Sequence, residues 1–402
     1  MDFPVNDRQA ELIGIARELG RDKFAPRAAK YDTEASFPFE NYDDLRDAGF
    51  LRLTVPERHG GLGADYQTYA LVSAELGRWC GATALTFNMH TCTMMWTNQM
   101  ADDLDMSAED RETHERRRGG IYKLVVEDGA LFAQPFSEPN TAAAAGKAPF
   151  GTAATKVDGG WRINGMKHFA SLSGAATHYG VLCTEAKDGA DARDTIYLAV
   201  DAKSDGFEVT GSWDPVGMRA TVSRSLKLDD VFVPDERQLL PRGAYFKAAV
   251  DWPHMFMTLC PTYMGISQAA FDFTVAYLRG EVPGIPPGAR NSPAKQMAVA
   301  EMRIKLEQAK AMFWRAITDA GFKPTKDARL RAYAAQFTVM EFANDICRLA
   351  IRTCGGRSIF KSLPLERLYR DSRCGSLMLP WSADICLERL GRESLYQPGE
   401  RD

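Results

Sequence analysis

Two histidines sit where an imidazole could handle a proton. His90 lies within the apolar stretch TFNMHTCTMMW, and His254 adjoins a second apolar run, MFMTLC. A buried imidazole needs a partner and often serves function, although beside an apolar run it more often packs or caps. The eight cysteines are scattered, with no CxxC and no Cys/His cluster at metal-binding spacing. They read as reduced, buried thiols, and no metal site is expected. No GxGxxG follows a strand-like segment and no GxxxxGK[ST] occurs, which argues against a Rossmann or P-loop site. Met94, Met95 and Trp96 would suit a wide apolar pocket, and equally an ordinary core. Glu366, Arg367, Arg370 and Asp371 set opposite charges close together on one helical connection, a pattern that ties a fold together rather than performing catalysis. Asp384, one turn into the last helix, complements the helix dipole.

The elements that must position these groups follow from periodicity. A chain of 402 residues is too long for one compact core and calls for two or three packed units. Residues 1–128 read as helical: Asn6 and Gln9 form a capping-box pattern, Leu12, Ile13, Ala16 and Leu19 share a face, and glycines at 60, 61 and 63 interrupt before a helix near Tyr66. Gly81–Met100 is apolar enough for a buried helix, whereas Ala101–Arg118 reads as a solvated helix and loop. Over 129–241 the period becomes alternating, with a hairpin signal in TKVDGGWRING. Helical spacing returns over 242–402, in stretches near 245–280, 294–320 and 326–353 and a last helix from about Pro380. The loop GEVPGIPPGARNSP divides the first two. The expected class is α+β: a helical domain, a central antiparallel β domain and a four-helix-type domain. The formal net charge of -4 offers no general attraction to nucleic acid or to an anionic membrane. No apolar run approaches the roughly 18 residues that cross a bilayer, and the start resembles no signal peptide, so a cytoplasmic location is expected.

Four ordered segments resemble the acyl-CoA dehydrogenase family, a flavoprotein superfamily that also includes flavin-dependent monooxygenases. They are Phe136-Ser137-Glu138-Pro139; Trp161 through Ser171 (WRINGMKHFAS); Gly217-Met218-Arg219-Ala220-Thr221 with Asp229 through Pro234; and Gly355-Gly356 followed by Glu366 through Asp371. The resemblance implies FAD. It places Ser137 and Ser171 as hydroxyl donors to the polar rim of the flavin, where charge builds on reduction, and Phe169 where the family packs a tryptophan on the ring. It also implies that Gly355 and Gly356 let the backbone approach the cofactor's phosphates, across a subunit boundary in a homodimer, homotetramer or hetero-oligomer.

Two departures accompany it. The family's proton-abstracting glutamate is absent from both usual places, which align with Pro380 and Met255. His254 adjoins the second place, Asp251 lies one helical turn before it, and His90 faces the acyl pocket by family position; these three are the candidate bases. The family's R-x-x-F-G is replaced by Glu281-Val282-Pro283-Gly284-Ile285, and Arg352, three residues before the glycine pair, is the candidate compensating cation. The leading expectation is α,β-dehydrogenation of an acyl thioester carried by CoA or an acyl carrier protein, within fatty acid metabolism. Electrons would pass to an acceptor protein or oxygen. A monooxygenase or oxidase of the same superfamily, and a non-catalytic subunit that completes a paralogue's site, are the alternatives.

Overall fold

The computed structural model describes residues 1–139, 148–286, 290–397 and 400; positions 287–289 of the expected connecting loop lie outside them. The first helix, α1 (Asp7–Leu19), starts on the expected capping box: Asn6 Oδ1 accepts the Gln9 N–H at 2.8 Å, and the Gln9 side chain accepts the Asn6 N–H at 3.2 Å. Such a cap stabilises a helix by about 1 kcal/mol. A π-helical turn leads into α2 (Ala25–Glu34), followed by α3 (Phe39–Asp47). Asp65 caps α4 (Tyr66–Trp79) by accepting the Thr68 N–H, and α5 (Gly81–Met95) is almost wholly buried, as its composition predicts. The charged stretch after it differs from expectation. A loop ends at Ser107, and α6 (Ala108–Val126) then carries His114 and Arg118 inward, Arg118 being neutralised by Asp102 and Glu115.

The central unit is an eight-stranded sheet made of β1 (Phe132–Ala133), β2 (Ala153–Val157), β3 (Gly160–Ala170), β4 (His178–Glu185), β5 (Thr195–Asp201), β6 (Phe207–Thr210), β7 (Arg224–Pro234) and β8 (Gln238–Leu240). Its order is β6-β7-β3-β2-β4-β5-β8. The expected hairpin joins β2 to β3, with Gly159 at φ 71°. Most pairings are antiparallel, but one edge of β4 is shared by two short parallel partners, β1 at its start and β2 at its end. In that seam lies a buried ion pair. Lys167 Nζ donates to Glu138 Oε1 at 2.6 Å and to the Leu182 carbonyl at 2.5 Å, while Glu138 also accepts from the Gly151 and Thr152 N–H groups and the Thr152 hydroxyl. Burial raises the Glu138 pKa, but the Lys167 charge and these donors outweigh it, so the carboxyl is held below its ordinary value. Removing either charge alone would strand the other in the interior at a cost of about 3–5 kcal/mol.

The C-terminal unit comprises α7 (Ala244–Asp251), α8 (Cys260–Arg279), α9 (Pro293–Thr318), α10 (Lys326–Cys354), α11 (Leu365–Gly375) and α12 (Ala383–Leu395). The single helical stretch expected near 245–280 is therefore broken. Pro253 and Pro261 lack the N–H that a continuous helix needs, and the chain passes through a 3-10 turn, Pro253–Phe256. The last helix starts three residues after Pro380, capped by Ser382. α4 and α8 meet backbone to backbone: a Cβ on Gly265 would lie 2.3 Å from the Ala74 carbonyl oxygen, and one on Gly77 2.6 Å from that of Thr262. No described helix is long and apolar enough to cross a membrane.

Candidate active site

The end of β3 and the loop entering β7 form an edge of unusual backbone. Phe169, Leu172, Met218 and Val222 all hold φ between 45° and 66°, a region that costs a non-glycine residue about 1–3 kcal/mol and that clusters at functional sites. These residues turn a row of hydroxyls together. Ser171 Oγ lies 2.8 Å from Ser223 Oγ, Ser223 Oγ lies 2.7 Å from Thr221 Oγ1, and the Thr221 hydroxyl donates to the Met218 carbonyl at 2.9 Å. Ser137 reaches the same edge through an isolated bridge, its carbonyl accepting the His168 N–H at 2.8 Å, and its hydroxyl has no hydrogen bond among the described residues. Phe169 stands outward with 67% of its surface exposed, its ring edge-on to Trp213. The structure thus brings Ser137, Phe169 and Ser171 to one edge and adds Ser223, Thr221 and Trp213. Thr221 ends a 3-10 turn and Ser223 follows the left-handed Val222, so no alternation in the sequence flags the pair.

That edge is anchored from the C-terminal unit. Asp371 Oδ1 accepts the Met218 N–H at 2.6 Å, and Arg370 donates to the Val216 carbonyl, to both oxygens of Asp32 and to Glu366. The charged signature is structural, as its spacing predicts. Burial pushes the Asp371 carboxyl up to about 6 against the pull of the Met218 amide and Arg367. Arg370 also lines, with Arg352, Arg348 and Tyr369, a shallow hollow at the end of α10. Gly355 follows with φ 81°, and a Cβ at Gly355 or Gly356 would meet nothing within 4 Å. Among the described residues, no hydrogen bond or ion pair joins Arg352, Gly355 or Gly356 to the hydroxyl edge; Arg370 is the shared member.

The three candidate bases occupy different settings. His90 is fully buried and fully partnered: Nδ1 accepts the Phe132 N–H at 3.0 Å, which leaves the proton on Nε2, 2.5 Å from the Leu51 carbonyl. Its nitrogens fasten α5 to β1 and to the 3-10 turn Phe50–Arg52, and burial lowers its pKa to about 4. His254 is also fully buried, yet neither ring nitrogen has a partner among the described residues. It sits on the 3-10 turn with the Tyr66 ring edge-on at 6.4 Å, and the Tyr66 hydroxyl is bonded to its carbonyl rather than its ring. Burial lowers its pKa to about 4, partly opposed by the Asp319 charge, so the ring is neutral at physiological pH. Asp251 ends α7 half-buried, and its carbonyl accepts the Lys323 N–H at 2.7 Å. Met255 and Pro380 are both buried.

Between the sheet and the C-terminal unit opens a cleft of about 220 Å³, lined by Phe150, Thr195, Tyr245, Phe256 and Arg389 among others. Tyr245 on its wall meets the ring of Phe136, the residue before Ser137, at 6.4 Å. Phe256 shares its 3-10 turn with His254.

The acyl-CoA dehydrogenase N-terminal, middle and C-terminal domains match residues 6–102, 133–231 and 254–379 respectively. The Bacillus subtilis (strain 168) protein YdbM, which carries the acyl-CoA dehydrogenase name, is 29% identical over 406 residues that cover 98% of each chain. Butyryl-CoA dehydrogenase from Megasphaera elsdenii shares the fold with a TM-score of 0.81 at 23% identity, over 98% of this chain and 100% of that one. The dibenzothiophene monooxygenase TdsC from Paenibacillus sp. A11-2 shares it at TM-score 0.80 and 20% identity, over 96% and 97% of the two chains. With all three domains in order along a helix–sheet–helix architecture, the chain belongs to the acyl-CoA dehydrogenase family and is an oxidoreductase of that flavoenzyme kind.

Proposed function

We propose that the protein is an FAD-dependent dehydrogenase that removes hydrogen from the α and β carbons of an acyl thioester carried by CoA or an acyl carrier protein. The observation that carries this reading is the strained hydroxyl edge, where Ser171, Ser223 and the Ser137 hydroxyl, which has no hydrogen bond among the described residues, fit the polar rim of an isoalloxazine. Bound flavin would supply the acceptor for the β hydride. Phe169 packs on the ring, and the Ser137 and Ser171 hydroxyls favour the charge that reduction builds. Arg352, Gly355 and Gly356 receive the cofactor's phosphates from a partner subunit, in a homodimer or homotetramer, with Arg352 replacing the cation lost at Glu281.

His254 takes the α proton. It is neutral and fully buried, with no partner to either ring nitrogen among the described residues, while the nitrogens of His90 are committed to backbone. The depressed pKa makes it a weak base, and a substrate proton already acidified by the thioester is the kind it can accept. Asp251, at the foot of the same turn, is the reserve candidate. Anaerobic titration of the purified protein with a panel of acyl-CoA esters should bleach the flavin; a flavin left yellow by every thioester would sink the reading. The monooxygenase alternative is favoured by one observation, the apolar residues Pro380 and Met255 where a carboxylate is usual. Rapid oxygen uptake after external reduction of the flavin would select it.

A further inference from the structure

Resting on the flavoenzyme reading, the walls of the cleft point to the part of the substrate that enters it. Four rings line it, Phe150, Tyr245, Phe246 and Phe256. Three of them belong to one continuous cluster: Tyr245 meets Phe150 at 6.1 Å, Phe256 at 6.5 Å and Trp96 at 5.7 Å, and Phe256 meets Trp381 at 6.0 Å. The contacts are tilted or edge-on rather than face to face, so each ring still offers an edge or a face to a further ring. The indole N–H groups of Trp96 and Trp381 are buried with no hydrogen-bond partner among the described residues. No hydrogen bond engages the Tyr245 hydroxyl there either, and burial raises its pKa far above the ordinary tyrosine range, so it remains a neutral donor.

A straight alkyl chain would gain only area from such walls. A planar ring gains area and quadrupole complementarity together, and its rigidity costs less conformational entropy on entry than a flexible chain. The cleft is also small, about 220 Å³, and Arg389 in its lining sits over the Tyr333 ring at 5.5 Å. We infer that the cleft is built for a planar aromatic group on the substrate, an aryl-bearing acyl thioester rather than a straight-chain one, with Tyr245 and Phe256 setting the preference.

Calorimetric titration of the purified holoprotein with 3-phenylpropionyl-CoA and hexanoyl-CoA tests this directly. Binding of the aromatic ester at least tenfold tighter is expected, with the margin falling below threefold in Tyr245→Leu and Phe256→Leu proteins. Equal affinities, or tighter binding of hexanoyl-CoA, would overturn the inference on the unaltered protein alone, whether or not the variants fold. Free indole is the third probe. If indole binds and neither thioester does, the aromatic preference stands while the thioester part of the proposed function falls. Preference for the phenyl ester with no flavin reduction would likewise remove the dehydrogenase reading and leave this inference in place.

Discussion

His90 and His254 are equally buried, equally depressed in pKa and both flanked by apolar sequence, yet they are opposites in what their nitrogens do. At the junction of α5 and β1, each nitrogen of His90 completes a backbone group that would otherwise lack a partner. At the turn between α7 and α8, the ring of His254 completes no polar group among the described residues. Burial and titration shift therefore do not separate a partnered imidazole from an unpartnered one; the hydrogen-bond inventory does. An unpartnered buried imidazole costs stability, and a protein retains such a cost most readily where it is needed for chemistry.

This contrast can be broken most severely by kinetics. His254→Leu should lower the rate of flavin reduction by about 10²–10⁴-fold, whereas His90→Leu should leave the rate per folded, flavin-loaded molecule within a few-fold of the original. Stopped-flow reduction measures both, and an unimpaired His254→Leu protein would move the base to Asp251. Stability should reverse the order. His90→Leu strands the Leu51 carbonyl and the Phe132 amide, at about 1–3 kcal/mol each in a urea melt at pH 7, while His254→Leu, which removes two unpaired nitrogens, should be neutral or stabilising.

Acid sharpens the comparison further. For a histidine whose folded pKa lies below its unfolded value, stability is fully present above about 6.5 and is lost as pH falls toward the folded pKa of about 4. Between pH 7 and 5 each of the two rings should contribute a loss on the order of 2 kcal/mol. The His254→Leu protein should show a correspondingly shallower decline, and an unchanged slope would contradict the buried neutral state. The smallest expected effect lies at the cofactor's far end: Arg352→Gln should weaken FAD retention several-fold in equilibrium dialysis without altering the melting of the sheet, and full retention would dismiss Arg352 as a phosphate partner.

Much of the architecture was legible in the residues because local chemistry and global packing agree. The Asn6 box, the helix start at Tyr66 and the Gly159 hairpin all fall where side-chain type and spacing place them. Other features carry no such signature. Phe169, Leu172, Met218 and Val222 adopt left-handed backbone without being glycine or asparagine, since tertiary bonds such as Asp371 to the Met218 amide hold them there. The sharing of one β4 edge by β1 and β2 arises from contacts distant in sequence, and alternation cannot report it. For His254, Pro253 hinted at the broken helix, but the lack of ring partners is visible only once Tyr66 and Asp319 are placed around it.

The Arg370 side chain reaches Asp32 near the beginning of the chain, Val216 in the middle and Glu366 on its own helix. A guanidinium with one grip on each third of the polypeptide couples the melting of the three portions. Scanning calorimetry should accordingly record one endotherm for the whole molecule, and cutting that side chain back should split it into separate events before it lowers any of them.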